Sequence, residues 1–138
     1  MRLAIIGGGS WGTALAMVLA PRSESLKLWV HEADLAARMA SSRENDVFLP
    51  GFRLPDAIQI VRELPVALEG ADMVLGVMPS HHARRIYSEI RPHLTSSMIL
   101  VSATKRLEQC SLLRTSTVIA PLSDQVTRSN RVSIQPGT

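Results

Sequence analysis

Cysteine is almost missing from this chain: Cys110 is the single one in 138 residues. No disulfide can close within the chain, which excludes a stapled secreted framework and fits a reducing, cytoplasmic setting. A lone thiol leaves two readings open, a nucleophile or an idle buried group. Long apolar runs are missing too. No stretch of 18 apolar residues occurs, so no membrane-spanning helix is expected. The apolar N-terminal stretch is broken by glycines, which does not suit a secretory signal. Clustered charge of one sign is also lacking. The net charge is +3, and Lys and Arg are scattered. That argues against a nucleic-acid-binding stripe and suits a small anionic ligand. Neither internal repeats nor low-complexity segments break the pattern.

What remains is ordinary globular composition, with 46% hydrophobic and 20% charged residues. The length is enough for one domain with a real core. The most informative stretch is Leu3–Ala20, LAIIGGGSWGTALAMVLA. It reads as a short strand, a glycine turn and a helix, with Gly7, Gly9 and Gly12 at the G-x-G-x-x-G spacing. Gly7 allows the sharp turn, Gly9 leaves backbone open to a pyrophosphate, and Gly12 lets helix and strand approach. The helix N-terminus adds unpaired N–H groups and a positive dipole end. A glycine turn with a purely structural role is the alternative reading.

The rest of the chain alternates in the same way. Helix 10–19 shows Ala14, Leu15, Val18 and Leu19 as its apolar face and ends at Pro21. A second strand is expected over Leu26–Val30, then a helix over Ala33–Ser42 facing inward through Leu35, Ala36 and Met39. Residues 43–55 read as irregular, because Pro50, Gly51 and Pro55 oppose regular structure. Phe48, Leu49, Phe52 and Leu54 suggest that this loop packs down. Further elements are a strand Ile58–Val61, a short helix Leu64–Glu69 stopped by Gly70, and a continuous apolar strand Met73–Met78. A helix His81–Ile90 capped by Ser80, a strand Met98–Ser102 and a helix Ser111–Ile119 complete the series. This βαβ alternation predicts a single-domain α/β fold: a doubly wound, mainly parallel sheet of Rossmann type.

Ligands of such sheets bind beyond the carboxyl ends of the strands, where strand order reverses. Four polar stretches fall at those ends: Gly7–Gly12, His31-Glu32, Pro79–His82 and Thr104-Lys105. Glu32 lies 20 residues past Gly12, near the spacing of an acid that binds a ribose 2′-hydroxyl. His31 could instead lie against an adenine or meet a 2′-phosphate. Both groups are offered, so NAD and NADP both stand, as does a merely solvated strand end. His81 and His82 read as helix-start residues rather than acids.

Several stretches together resemble one family, the bacterial NAD(P)-dependent sn-glycerol-3-phosphate dehydrogenases. They are Gly7–Ala16, Leu28–His31, Arg43-Glu44-Asn45 with Phe48–Gly51, Val77–His81 and Ala103–Glu108. The resemblance covers about residues 2–118. It implies hydride transfer between a nicotinamide dinucleotide, NAD or NADP, and the pair dihydroxyacetone phosphate and sn-glycerol 3-phosphate, feeding glycerophospholipid synthesis. It implies that Ser10, Trp11, His31 and Pro79 contact the cofactor. It sets Lys105 near both the nicotinamide and the substrate phosphate, a role that suits a compact ammonium charge.

Two departures qualify what the resemblance implies. The family reads K-G-L-E where this chain has Lys105-Arg106-Leu107-Glu108, so Arg106 replaces a glycine. The family also continues with a G-P-[ST]-F-A-x-E segment and an all-helical domain, which carries the general acid/base lysine and most of the substrate site. Pro136-Gly137-Thr138 matches that segment only faintly. The expectation is a cofactor-binding domain over residues 1–120, a tail over 121–138, and no helical substrate domain. No catalytic residue and no metal ligand set is assigned. Such a chain binds cofactor without efficient turnover, and its exposed apolar surface suits a homodimer. The rival reading is a non-catalytic nucleotide-binding or scaffold protein that keeps the same fold.

Overall fold

A computed structural model describes residues 1–78, 80–95, 97–102 and 131–133. Its elements in chain order are β1 Arg2–Ile6, α1 Ser10–Leu19, β2 Ser25–Trp29, α2 Ala33–Ser42, β3 Glu44–Asn45, β4 Leu49–Arg53, β5 Ile58–Val61, α3 Leu64–Leu68, β6 Met73–Gly76, α4 Ser80–Ile90, β7 Ile99–Ser102 and β8 Arg131–Ser133. Six strands form one sheet in the order β5-β2-β1-β6-β7-β8, and every pairing in it is parallel. Counting the strands of this sheet alone, the order is 3-2-1-4-5-6, with the reversal between β1 and β6.

The apolar strands are read easily because both faces of the sheet are covered. In β1, Leu3 and Ile5 point into a core with α1 and α2, built on Leu28, Leu35 and Met39. Ala4 and Ile6 point into the opposite core, with Leu68 of α3 and Ile86, Tyr87 and Ile90 of α4. Alternation therefore serves two layers, and an apolar residue is required at every position. Burying one such Leu or Ile contributes about 1.5–3 kcal/mol relative to exposure.

Helix α2 buries Leu35, Ala36 and Met39 as its pattern predicts. Helix α1 differs from expectation. Its buried residues are Gly12, Thr13 and Ala16, while Val18 is 64% exposed. The reason is proximity: only small residues fit where the helix lies tight on β1, so Leu15 and Leu19 pack at its flanks. Pro21 does not simply end the chain's helical course; it sits inside a single 3₁₀ turn over Ala20–Arg22. Ser80 is the first residue of α4 rather than its cap.

The stretch 43–55 is also a correction. It is not irregular: β3 and β4 pair antiparallel as a small ribbon, with a register shift between Glu44 and Asn45. Pro50 is tolerated because this two-stranded ribbon has free edges. Nor does the segment pack down as a whole. Leu54 is fully buried, but Phe48 is 44% and Phe52 56% exposed. Arg43 turns the chain out of α2 in a left-handed conformation (φ 56°), and its guanidinium donates to the carbonyls of Pro55 and Ile58.

A further strand closes this edge of the sheet: β8 lies along β7, with Val132 opposite Val101. Three residues are too short a run to stand out from a polar stretch of sequence. The expected helix Ser111–Ile119 lies outside the described residues, as do Pro79, Cys110 and the loop with Lys105 and Arg106. Among the described residues no helix is long and apolar enough to cross a membrane.

Candidate functional site

The site begins with a steric fact at the end of β1. Gly7 has φ +134°, and a Cβ there would lie 2.1 Å from the Val77 carbonyl oxygen. A Cβ on Gly12 would lie 2.0 Å from the Gly7 carbonyl oxygen. These two positions have no room for a side chain. Gly9 is the opposite case: nothing lies within 4 Å of where its Cβ would be. Its backbone faces open space, which is the opening a phosphate needs.

Gly9 also caps α1. It has extended geometry (φ −75°, ψ −173°), and its carbonyl accepts the Thr13 N–H at 2.9 Å. No acidic residue occupies the first turn of α1, so the positive end of the helix dipole is uncompensated by the chain. Ser10 and Trp11 are exposed at this helix start, with Trp11 40% exposed.

A cleft opens over this turn, between the ends of β2 and β6. Gly7, Gly8 and Gly9 form its floor, His31 and Glu32 one wall, and Val77, Met78, His82, Arg85 and Ile86 the other, with Phe48 at the ribbon's tip. Of the residues the sequence singled out, Gly7, Gly9, His31 and Glu32 are thus brought together. Gly12 is buried behind the turn, and Ser10 and Trp11 sit beside the cleft without lining it. Pro79 and Lys105 lie outside the described residues.

His31 is exposed, and its ring is tilted against that of Trp29 with centroids 5.7 Å apart. Trp29 is itself held by its indole N–H, which donates to the Arg62 carbonyl at 2.7 Å. Glu32 is the N-cap residue of α2, makes no side-chain cap hydrogen bond and lines the cleft. Arg85 is the cation of the far wall, with Glu89 one turn on at 3.9 Å. An arginine on that wall suits an anionic ligand.

Below the cleft, Tyr87 is fully enclosed against Gly76, whose missing side chain makes the space for its hydroxyl. Burial pushes the Tyr87 hydroxyl up to about 12, with Ser102 acting in the opposite direction. Among the described residues the Tyr87 hydroxyl makes no hydrogen bond, and its ring does not line the cleft.

Sequence reasoning missed Phe48 and Arg85 as lining residues and Asn45 as a buried support. Asn45 is fully buried and bonded to the glycine turn. Its only sequence signal was membership of the Arg43-Glu44-Asn45 run, which says nothing of burial.

A family model described as the N-terminus of NAD-dependent glycerol-3-phosphate dehydrogenase matches residues 2–133. The chain belongs to this family. Among curated relatives, a glycerol-3-phosphate dehydrogenase (NAD(P)+) of Koribacter versatilis is 45% identical over 119 residues, covering 86% of this chain and 35% of the relative. One from Acidobacterium capsulatum is 45% identical over 123 residues, with 36% of the relative covered. The crystal structure of glycerol-3-phosphate dehydrogenase from Coxiella burnetii superposes with a TM-score of 0.83 at 32% identity, over 91% of this chain and 38% of that one. The yeast glycerol-3-phosphate dehydrogenase structure, at 24% identity and a TM-score of 0.77, shares the fold. The chain spans about a third of the length of the curated relatives it matches. The glycerol-3-phosphate dehydrogenase N-terminus and the doubly wound sheet are thus one and the same unit.

Proposed function

We propose that this chain is the nicotinamide-dinucleotide-binding unit of a glycerol-3-phosphate dehydrogenase, taking NAD or NADP. The observation that carries the reading is the glycine turn. Two of its glycines are packed too tightly for any side chain, while the third, Gly9, is open at a helix N-terminus on the switch point of the sheet. Family membership supports the same cofactor class. When bound, the nicotinamide accepts or donates a hydride. The chain's own part is to bind and orient. Gly7 and Gly12 keep the turn tight, Gly9, Ser10 and Trp11 take the pyrophosphate side, and His31 and Glu32 take the adenosine ribose. Pro79 and Lys105 enter by resemblance, with Lys105 directed toward the nicotinamide and the substrate phosphate.

The reaction assigned is the interconversion of dihydroxyacetone phosphate and sn-glycerol 3-phosphate, which supplies glycerophospholipid synthesis. A carbonyl reduction needs a proton donor at the carbonyl oxygen as well as an oriented hydride. No residue of this chain is assigned that role, so binding without efficient turnover is expected of these 138 residues. The near absence of cysteine supports a cytoplasmic setting. The exposed Val18 and Phe52 support association into a homodimer.

Titration with NADH, followed by its fluorescence, tests the reading. Saturable enhancement is expected. Absence of any response up to roughly 1 mM cofactor, the upper end of ordinary substrate constants, overturns it.

A further inference from the structure

The ribbon β3–β4 is fastened to the glycine turn by one buried amide. Asn45 is fully buried. Its Nδ2 donates to the Gly8 carbonyl at 2.8 Å and to the Thr13 hydroxyl at 2.8 Å. Its Oδ1 accepts the Phe48 N–H at 3.1 Å. Two of its three partners, Gly8 and Phe48, line the cleft, and the third, Thr13, is buried beside Gly12 in the first turn of α1.

The bond to Gly8 has a directional consequence. No peptide bond among the described residues is cis. In a trans peptide the C=O and the following N–H point in opposite directions. Asn45 pulls the Gly8 carbonyl inward, so the Gly9 N–H of the same peptide is turned outward. Among the described residues that N–H has no acceptor, and nothing lies within 4 Å of where a Gly9 Cβ would stand. A peptide between two glycines is otherwise free to flip, because neither residue carries a Cβ to restrict it. The shorter bond from the buried Asn45 amide, backed by the Thr13 hydroxyl that donates to the same carbonyl at 3.5 Å, removes that freedom before the ligand arrives, and preorganisation of this kind lowers the cost of binding.

We propose that Asn45 is the positioning residue of the pyrophosphate cradle: it orients the Gly8–Gly9 peptide so that the Gly9 N–H faces the ligand, and it hangs Phe48 over the same cleft. This rests on the dinucleotide reading above. The residue does not touch the ligand. It acts through the peptide it holds, and a serine, alanine or leucine of this size cannot donate to both Gly8 and Thr13 while accepting from Phe48.

The test compares a ligand that has the pyrophosphate with one that lacks it. ADP-ribose and adenosine are titrated into wild type and Asn45→Ala while amide resonances are followed by ¹⁵N NMR. In wild type, the Gly9 amide is expected to shift with ADP-ribose and not with adenosine. In Asn45→Ala, ADP-ribose affinity is expected to fall roughly ten-fold or more, while adenosine affinity changes by less than about two-fold. Equal losses for both ligands, or no loss for either, overturn the positioning role. Wild type that fails to bind ADP-ribose at all overturns the dinucleotide reading and this inference together, which separates the two failures. Should Asn45→Ala not fold, wild type and Thr13→Val decide the matter. Slow exchange of the Asn45 side-chain amide protons, with a Gly9 shift specific to ADP-ribose and diminished in Thr13→Val, supports the role. Fast exchange or an unmoved Gly9 resonance overturns it.

Discussion

At the scale of single residues, Gly9 and Gly12 do opposite work three positions apart. Gly12 serves the fold. A methyl group there meets the Gly7 carbonyl oxygen at 2.0 Å, and that atom is backbone, so something must move. Gly12→Ala is expected to destabilise the chain by roughly 1–3 kcal/mol or more, the range of an overpacked core. Gly9 is the glycine proposed to serve the ligand. A methyl group there meets nothing, and its extended backbone suits any residue. Gly9→Ala is expected to cost about 1 kcal/mol at most, the difference between Gly and Ala at a helix N-cap. Yet its methyl would stand in the space proposed for the phosphate, and ADP-ribose or NADH binding is expected to fall at least ten-fold, or about 1.4 kcal/mol. Urea denaturation and cofactor titration of the two variants read the contrast. Equal loss of stability in both, or undiminished binding in Gly9→Ala, contradicts the division of labour.

At the scale of elements, the two ends of the strands carry different duties. The carboxyl ends hold the cleft, and the amino ends are stitched together by Asp72. Its carboxylate accepts the Arg2 N–H at 2.8 Å, its own N–H donates to the Arg2 carbonyl at 2.8 Å, and its carbonyl accepts the Ile99 N–H at 3.0 Å. The Arg2 N–H, and secondarily its guanidinium, hold the Asp72 carboxyl below its usual value of 3.8. A depressed carboxylate contributes stability that is complete above the ordinary value and lost as pH falls through the folded one. Asp72→Asn keeps an acceptor but no titratable group. Its stability is therefore expected to be flatter than wild type on the acid side of pH 3.8, the two curves converging at the lowest pH, with NADH binding at neutral pH unchanged. Denaturation midpoints across that range check it; parallel curves contradict it.

The elements also show what could be read in advance. Strands such as Ala4-Ile5-Ile6 and Val74-Leu75 announce themselves because central strands covered on both faces bury apolar residues in succession. The glycine spacing announced the turn because steric exclusion at Gly7 and Gly12 admits nothing else. The ribbon β3–β4 was hidden because a two-stranded piece outside the main sheet tolerates Pro50 and exposes Phe52. Asn45 was hidden for a different reason: its role depends on a carbonyl 37 positions away, and no local pattern encodes such a contact. Arg85 reaches the cleft only because α4 returns over the sheet beside β6, a consequence of topology rather than of spacing.

At the scale of the whole molecule, the strand order makes the cleft a property of the sheet rather than of any loop. The chain leaves β1 toward β2 and β5, returns across it to β6, and so leaves a gap between two divergent connections. Gly7–Gly9 come from the β1 side, His31 and Glu32 from the β2 side, and Arg85 from the β6 side. A ligand lying across that gap touches three segments that meet only in the folded state. It therefore binds the folded chain and not the unfolded one, and must stabilise it by mass action. At a free concentration one hundred times its dissociation constant, NADH is expected to add about 2.7 kcal/mol. With roughly 2.1 cal/mol/K of unfolding entropy per residue, a chain of 138 residues gains about 9 °C in melting temperature. The shift should grow with the logarithm of cofactor concentration. Gly9→Ala, which leaves the fold intact, should melt near wild type without cofactor and gain far less with it. A melting temperature that ignores NADH in wild type, or rises equally in Gly9→Ala, would mean that the ligand does not bridge the gap over the glycine turn.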